Sequence, residues 1–331
     1  MTELIRVNRR QILKGAAGLG ALSLLPGSAL AAGYPSRPVE LICPWSAGGG
    51  TDATGRMIAA LLEKKLGQTF NVVNRTGGSG VVGHSAIANS KPDGYAVGTV
   101  TVEIAMMHWV GLTELTPANY TPLGLYNADN PGVTVSTNSP YKDVKALSEA
   151  IKAAAPGTFK ASGTGQGGIW HLALVGWMLS LGLDANHVTW VPSEGAAPAM
   201  QDLVAGGIEI VTASLAETKA MVDAGRAVNL ALMGDERAPA YPDIPTLKEL
   251  GYDFTLATWR SLGGPLGMPD DAVQAVSGAL AEIVTDPEFV AFMNNRGFGI
   301  KYLEPQAHAK FMADTDQVMG NALKAAGLAK A

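Results

Sequence analysis

The sequence predicts an α/β protein built on parallel sheets, and three observations carry that reading. Between residues 39 and 224, short β-prone runs alternate with stretches of helical length and spacing. The connections between them are brief and rich in glycine and serine, as strand-to-helix turns are. The chain has 331 residues, 40 of them glycine. That is more than one core usually holds, so two lobes are expected.

The first unit sets the pattern. Val39–Cys43 is a short β-prone run that Pro44 ends. Gly48, Gly49 and Gly50 permit a tight turn with φ > 0 and no Cβ in the way. Thr51 is the expected N-cap of a helix whose apolar face is Met57, Ile58, Leu61, Leu62 and Leu66, and Gly67 ends it. The first amides of that helix lack intrahelical partners and carry the positive end of its dipole, which makes an anion site. The plain alternative is an ordinary strand-to-helix turn. Asp52 competes for the same field and is expected to turn away and brace the loop.

The remaining elements follow in order. A strand at 70–73 leads through the glycine turn 74–80 into a helix at 81–90. The turn Pro92-Asp93-Gly94 precedes a strand at 95–102. Residues 123–136 read as extended segments around Asn130-Pro131-Gly132, the first crossing between lobes. Helices are expected at 144–154, 169–182, 196–205 and 215–224, with strands at 158–162, 188–191 and 208–213. The 169–182 helix is apolar almost all round and therefore buried. Residues 228–233 return toward the first lobe through a proline-rich stretch at 238–246. A late strand at 259–265 and helices at 271–284 and 305–326 complete the chain.

The N-terminus reads as an address. Asn8-Arg9-Arg10-Gln11-Ile12-Leu13-Lys14 is a twin-arginine pattern, residues 15–25 are apolar, Pro26 breaks the run, and Ala29-Leu30-Ala31 is an A-x-A cleavage site. The apolar run is shorter than the roughly 20 residues that span a bilayer. Residues 1–31 are expected to be removed on export to the periplasm. The leader carries Arg6, Arg9, Arg10, Lys14 and Glu3, so the other 300 residues hold 20 basic and 28 acidic side chains, net −8. That balance argues against nucleic acid as a partner. Cys43 is the only cysteine, so no intramolecular disulfide can form. It is expected buried in the first strand.

Catalytic and cofactor signatures are weak. Gly78, Gly80, Gly83 and Gly163, Gly165, Gly168 both fit G-x-G-x-x-G, but neither has an acid at the end of the next strand to hold a ribose. There is no G-x-S-x-G elbow or H-E-x-x-H, and the five histidines lack metal-ligand spacing. His171 reads as a hydrogen-bonded structural residue. Glu103 and Glu194 could act as an acid–base pair only if the lobes closed on each other. What does recur is a set of small-residue turns after strands: 46–51, 76–80, 162–168, 193–195 and Ser214. Ligands of two-lobed α/β proteins bind at such edges.

In order along the chain stand Tyr34-Pro35-Ser36-Arg37-Pro38, then Pro44 with Gly48-Gly49-Gly50-Thr51-Asp52, then Val73-Asn74-Arg75 with its glycine turn. Pro92-Asp93-Gly94-Tyr95, Gly195-Ala196-Ala197-Pro198-Ala199 and Pro242-Asp243-Ile244-Pro245-Thr246 follow. This series resembles the periplasmic receptors of tripartite tricarboxylate transporters, also called Bordetella uptake receptors, from Tyr34 to about Leu328. The resemblance implies a two-lobed periplasmic-binding-protein fold of type II, the flytrap. Residues 32–125 with 235–331 would form one lobe and 126–234 the other. It implies a receptor that captures a small organic acid, a di- or tricarboxylate, for a membrane permease; an aromatic or amino acid with one carboxylate is the alternative. It implies no enzymatic activity, no cofactor, no metal and a monomer. Carboxylate contacts would come from Ser46, Ala47, Gly48, Gly49, Gly50, Thr51 and Asp52 and, across the cleft, from Ser162, Thr164, Gly165 and Gly168. Thr101, Glu103, Ser193, Ser214 and Arg260 would meet the far end of the ligand. The chain departs from many relatives at Ser193-Glu194 and Thr212-Ala213-Ser214, where ligand identity is set. Arg260 is the candidate for a bidentate contact to a second carboxylate, against a plain surface arginine.

Overall fold

A computed structural model describes residues 33–330; the expected leader and its cleavage site lie outside them. Eleven strands form two sheets among the described residues. β1 (Val39–Cys43), β2 (Phe70–Asn74) and β3 (Ala96–Thr101) run parallel, joined by α1 (Gly50–Leu66) and α2 (Val81–Ala88). β4 (Tyr120–Asp129), β10 (Thr258–Pro265) and β11 (Ile300–Leu303) complete the first sheet in the order β11-β4-β10-β3-β1-β2.

The second sheet has the order β7-β6-β8-β5-β9 and comes from one continuous stretch. Its strands are β5 (Gly132–Ser136), β6 (Lys160–Ser162), β7 (Thr189–Trp190), β8 (Ile210–Val211) and β9 (Ala227–Leu232). The intervening helices are α3 (Val144–Ala153), α4 (Ile169–Ser180), α5 (Ala196–Ala205) and α6 (Leu215–Asp223).

The two sheets repeat one plan. Each has three parallel strands, then an antiparallel intruder, then a further strand antiparallel to that intruder. The intruders are β10 in the first sheet and β5 in the second, and each follows a passage of the chain between sheets. Those passages, Asn130-Pro131 and the segment before β10, lie side by side. The Asn130 side-chain amide donates to the Leu256 carbonyl at 2.7 Å.

Local chemistry accounts for the ends of the elements. Gly67 stops α1 in the left-handed conformation, φ 70°. Asp143 caps α3 by accepting from the Ala146 amide at 2.8 Å. The cap of α1 is Gly49, not Thr51, and this difference frees the Thr51 hydroxyl for another partner. β4 runs on to Asp129, and β6, β7 and β8 are shorter than the sequence suggests. Two elements have no counterpart in the sequence reading: α8 (Pro287–Arg296), capped by Asp286, and β11. The late helices α7 (Asp270–Ile283) and α9 (Pro305–Ala325) cover the first sheet. Ile58, Leu62, Leu123, Val276, Leu280 and Phe289 form a core on one side of that sheet. Val133, Ile151, Trp177 and Ile210 belong to the core of the second. α4 is buried along nearly its whole length, as its composition requires. Cys43 is fully buried, and burial pushes its thiol up to about 12.

Candidate functional site

A small cavity lies between the sheets, at the carboxyl ends of the parallel strands. The N-termini of α1, α4 and α5 open onto it through Gly50, Ile169 and Ala196, and Glu217 enters from the first turn of α6. β10 is antiparallel, so its beginning lies at this same edge. Arg260 pairs in register with Thr101.

On the first-lobe side, Gly48 takes φ 81°, a conformation that suits glycine. Asp52 accepts from the Gly48 amide at 2.9 Å, from Asn74 Nδ2 at 2.8 Å and from Arg56 Nε at 3.0 Å. Burial pushes its carboxyl up, but the hydrogen bonds from Arg56, Gly48 and Asn74 outweigh burial and hold it below the ordinary range. Asp52 therefore braces the loop from behind. Beside it, Trp45 Nε1 donates to the Thr101 hydroxyl at 3.3 Å, and that hydroxyl donates to Glu103. The Thr101 amide donates to His84 Nε2, so His84 carries its proton on Nδ1, which faces the Gly80 carbonyl at 2.8 Å. Burial lowers His84 to about 4 and keeps it neutral.

Arg260 is 3% exposed, so it is not a surface residue. Nη1 donates to Asn127 at 2.6 Å and Asp129 at 3.0 Å, Nη2 to Glu217 at 2.9 Å, and Nε to Thr51 at 3.1 Å. Four of the five guanidinium N–H groups are thus engaged within the protein. A bidentate ligand contact would have to displace one of these partners. Burial pushes the Asp129 and Glu217 carboxyls up, and the Arg260 charge opposes it.

On the second-lobe side, the Ile169 amide at the start of α4 donates to Glu103 Oε1 at 3.3 Å. The Ser46 amide donates to the Glu194 carbonyl at 3.2 Å, and the Thr76 hydroxyl to the Glu194 carboxylate at 2.6 Å. Glu103 and Glu194 are thus held by different partners and form no pair. A Cβ on Gly165 would lie 2.6 Å from Ser79 Cα. The lobes are therefore in close contact.

Of the residues expected at the site, Ser46, Gly49, Gly50, Thr51, Thr101, Glu103, Thr164 and Arg260 line the cavity. Ala47, Gly48, Asp52, Ser162, Gly165, Gly168, Ser193 and Ser214 shape or support the turns around it. Ser193 donates to the Gly195 carbonyl at 3.0 Å. Ser214 caps α6 with its hydroxyl buried and unpartnered among the described residues. His171 accepts from the Gly167 amide at 3.1 Å, in keeping with a structural role. Sequence reasoning missed Glu217, Asp129, Asn127, Trp45 and Trp170. Glu217 had one available signal, since it stands one helical turn after Ser214. Among the described residues, no group of three or more His, Cys, Asp or Glu side chains is arranged to hold a metal ion.

A family model described as "Tripartite tricarboxylate transporter family receptor" matches residues 54–328. The chain is 28% identical to Protein BugT of Bordetella pertussis, over 89% of this chain and 90% of BugT. It is 34% identical to a Polaromonas TctC solute-binding protein solved with no ligand, over 88% and 99% of the two chains, with a TM-score of 0.63. It is 25% identical to an R. palustris protein solved with adipate, over 89% and 99%, with a TM-score of 0.84.

Proposed function

Because the chain belongs to the tripartite tricarboxylate transporter receptor family, we propose that it captures a small organic acid in the periplasm and passes it to the membrane permease of such a transporter. The observation that carries this reading is the set of helix N-termini, those of α1, α4 and α5, that open onto one cavity between two lobes. Backbone amides at such termini hold a carboxylate without a free basic side chain. Charge-assisted hydrogen bonds contribute roughly 1.5–3 kcal/mol each. Four would total about 6–12 kcal/mol before ordering costs, and micromolar binding needs about 8. The relative solved with adipate supports a carboxylate ligand.

The two loops, residues 46–52 and 162–168, act as a clamp whose lobes turn about the paired passages at Asn130 and Leu256. The ligand-free Polaromonas relative superposes less well than the adipate-bound one, despite its higher identity. A rotation of intact lobes has that effect on a whole-chain superposition. A ligand that touches both lobes favours the closed arrangement through its differential affinity. Mass spectrometry of ligand released from purified protein, with a thermal-shift screen of carboxylates and NAD, tests the function. A co-purified organic acid that raises the melting temperature is the expected result. A shift with NAD and none with any carboxylate overturns it.

A further inference from the structure

The amides expected to hold a ligand carboxylate already face carboxylates of the protein itself, and the arrangement is reciprocal. Glu103 extends from the end of β3 to the Ile169 amide of α4, in the opposite lobe. Glu217, on α6, extends back to the start of α1, where a Cβ on Gly50 would lie 2.7 Å from its Oε1. With Asp129 there are three buried carboxylates in this region against one guanidinium, Arg260, which pairs with Asp129 and Glu217 and has a single N–H left. A second ligand carboxylate would enter a region whose acids already outnumber its bases.

Two further observations say what this region lacks. Glu217 lines the cavity with its side chain 6% exposed, and its Oε2 has no hydrogen-bond partner among the described residues. A buried carboxylate oxygen without a donor is costly, so it calls for one on the ligand. The Ser46 hydroxyl, also buried and unpartnered, lines the same cavity beside Gly195, the N-cap of α5, where an added Cβ would lie 2.8 Å from it. A carboxylate there would meet a hydroxyl and the N-terminus of α5.

We propose that the ligand is a zwitterion, an amino-bearing carboxylate whose ammonium group is held by Glu217, with Glu103 supplying further negative charge. This rests on the carboxylate-receptor reading and narrows it. An ammonium supplies the missing donor and offsets the surplus of acid. A dicarboxylate does neither.

The test is calorimetry with probe pairs that differ only by an amino group: aspartate and succinate, glutamate and glutarate, 4-aminobutyrate and butyrate, phenylalanine and 3-phenylpropionate. In the best-fitting pair the amino member should bind at least tenfold tighter. That preference should vanish in Glu217→Gln and weaken in Glu103→Gln, with circular dichroism as the folding control. Amino-free acids that bind as tightly as their partners, or a preference that survives in folded Glu217→Gln, overturn the zwitterion and leave the carboxylate receptor standing. An amine without a carboxylate, such as butylamine, that binds as tightly as the amino acids overturns the receptor reading itself. Absence of binding across all the probes overturns both.

Discussion

Arg260 holds the cavity wall together at the level of single side chains. Its partners Thr51, Asn127 and Asp129 lie on the first-sheet side, the last two because β4 carries that lobe past the boundary expected at residue 125, and Glu217 lies in the second lobe. Replacing it by methionine leaves two buried carboxylates without a counter-charge, a loss of about 3–5 kcal/mol. Urea denaturation measures that loss, and a change within 1 kcal/mol would mean that solvent reaches the pair. Glu103 gives a pH signature. Burial pushes its carboxyl above the ordinary range, and no cation touches it. A carboxyl raised in the folded state contributes stability that is fully present below its unfolded pKa, about 4.3. That contribution is lost as the pH rises through the folded value. The melting temperature of Glu103→Gln should therefore gain on that of the wild type between pH 4.5 and 8. A constant gap would show that Glu103 ionises as an exposed acid does. None of this pairing is legible in the sequence. Arg260 lies 43 residues from Glu217 and 131 from Asp129, and only the fold brings them together.

The strand–turn–helix units were the most readable elements, since a change from a two-residue to a 3.6-residue period is local. β1 and α5 keep the boundaries read from the sequence. α8 and β11 escaped because they are short and lie in a mixed stretch, and β11 pairs only with β4. Within the first glycine turn, the sequence treats its three glycines alike, whereas the structure separates them. Gly49 sits at φ −76°, an ordinary angle, so it needs glycine for no backbone reason. A Cβ there would lie 3.3 Å from the Ser46 carbonyl oxygen, a tight fit that a small shift relieves. The same atom on Gly50 would meet Glu217, from the opposite lobe, at 2.7 Å and Arg260 Nη2 at 3.0 Å. Gly50→Val is therefore expected to lower ligand affinity at least tenfold, whereas Gly49→Ala changes it less than threefold. Calorimetry on the two folded variants decides, and the reverse order would remove Gly50 from the closing surface.

At the scale of the whole molecule, two lobes follow from chain length, but their closed contact does not. Ser79 and Gly165 meet because two turns, each plain by itself, face each other across the cleft. Gly165→Ala would set a methyl carbon against the Ser79 backbone and hold the lobes apart. Small-angle scattering should show the wild type compacting when ligand is added, and this variant compacting less. Binding should weaken at least tenfold, about 1.4 kcal/mol. Equal compaction would mean that closure does not bring these turns together.

The position of β10 has a consequence for how the chain acquires its shape during synthesis. Residues 132–232 contain every strand of the second sheet, so that half can form as soon as it is made. The first half has no such independence. β3 is complete by residue 101 and β4 by residue 129, yet the strand that belongs between them ends at residue 265. Until then each presents an edge with unpaired amides and carbonyls, a template for wrong partners. Pairing across so long a separation is also slow. The earliest-made part of the protein is thus among the last to be finished, and in that interval it depends on whatever in the cell shields exposed strands.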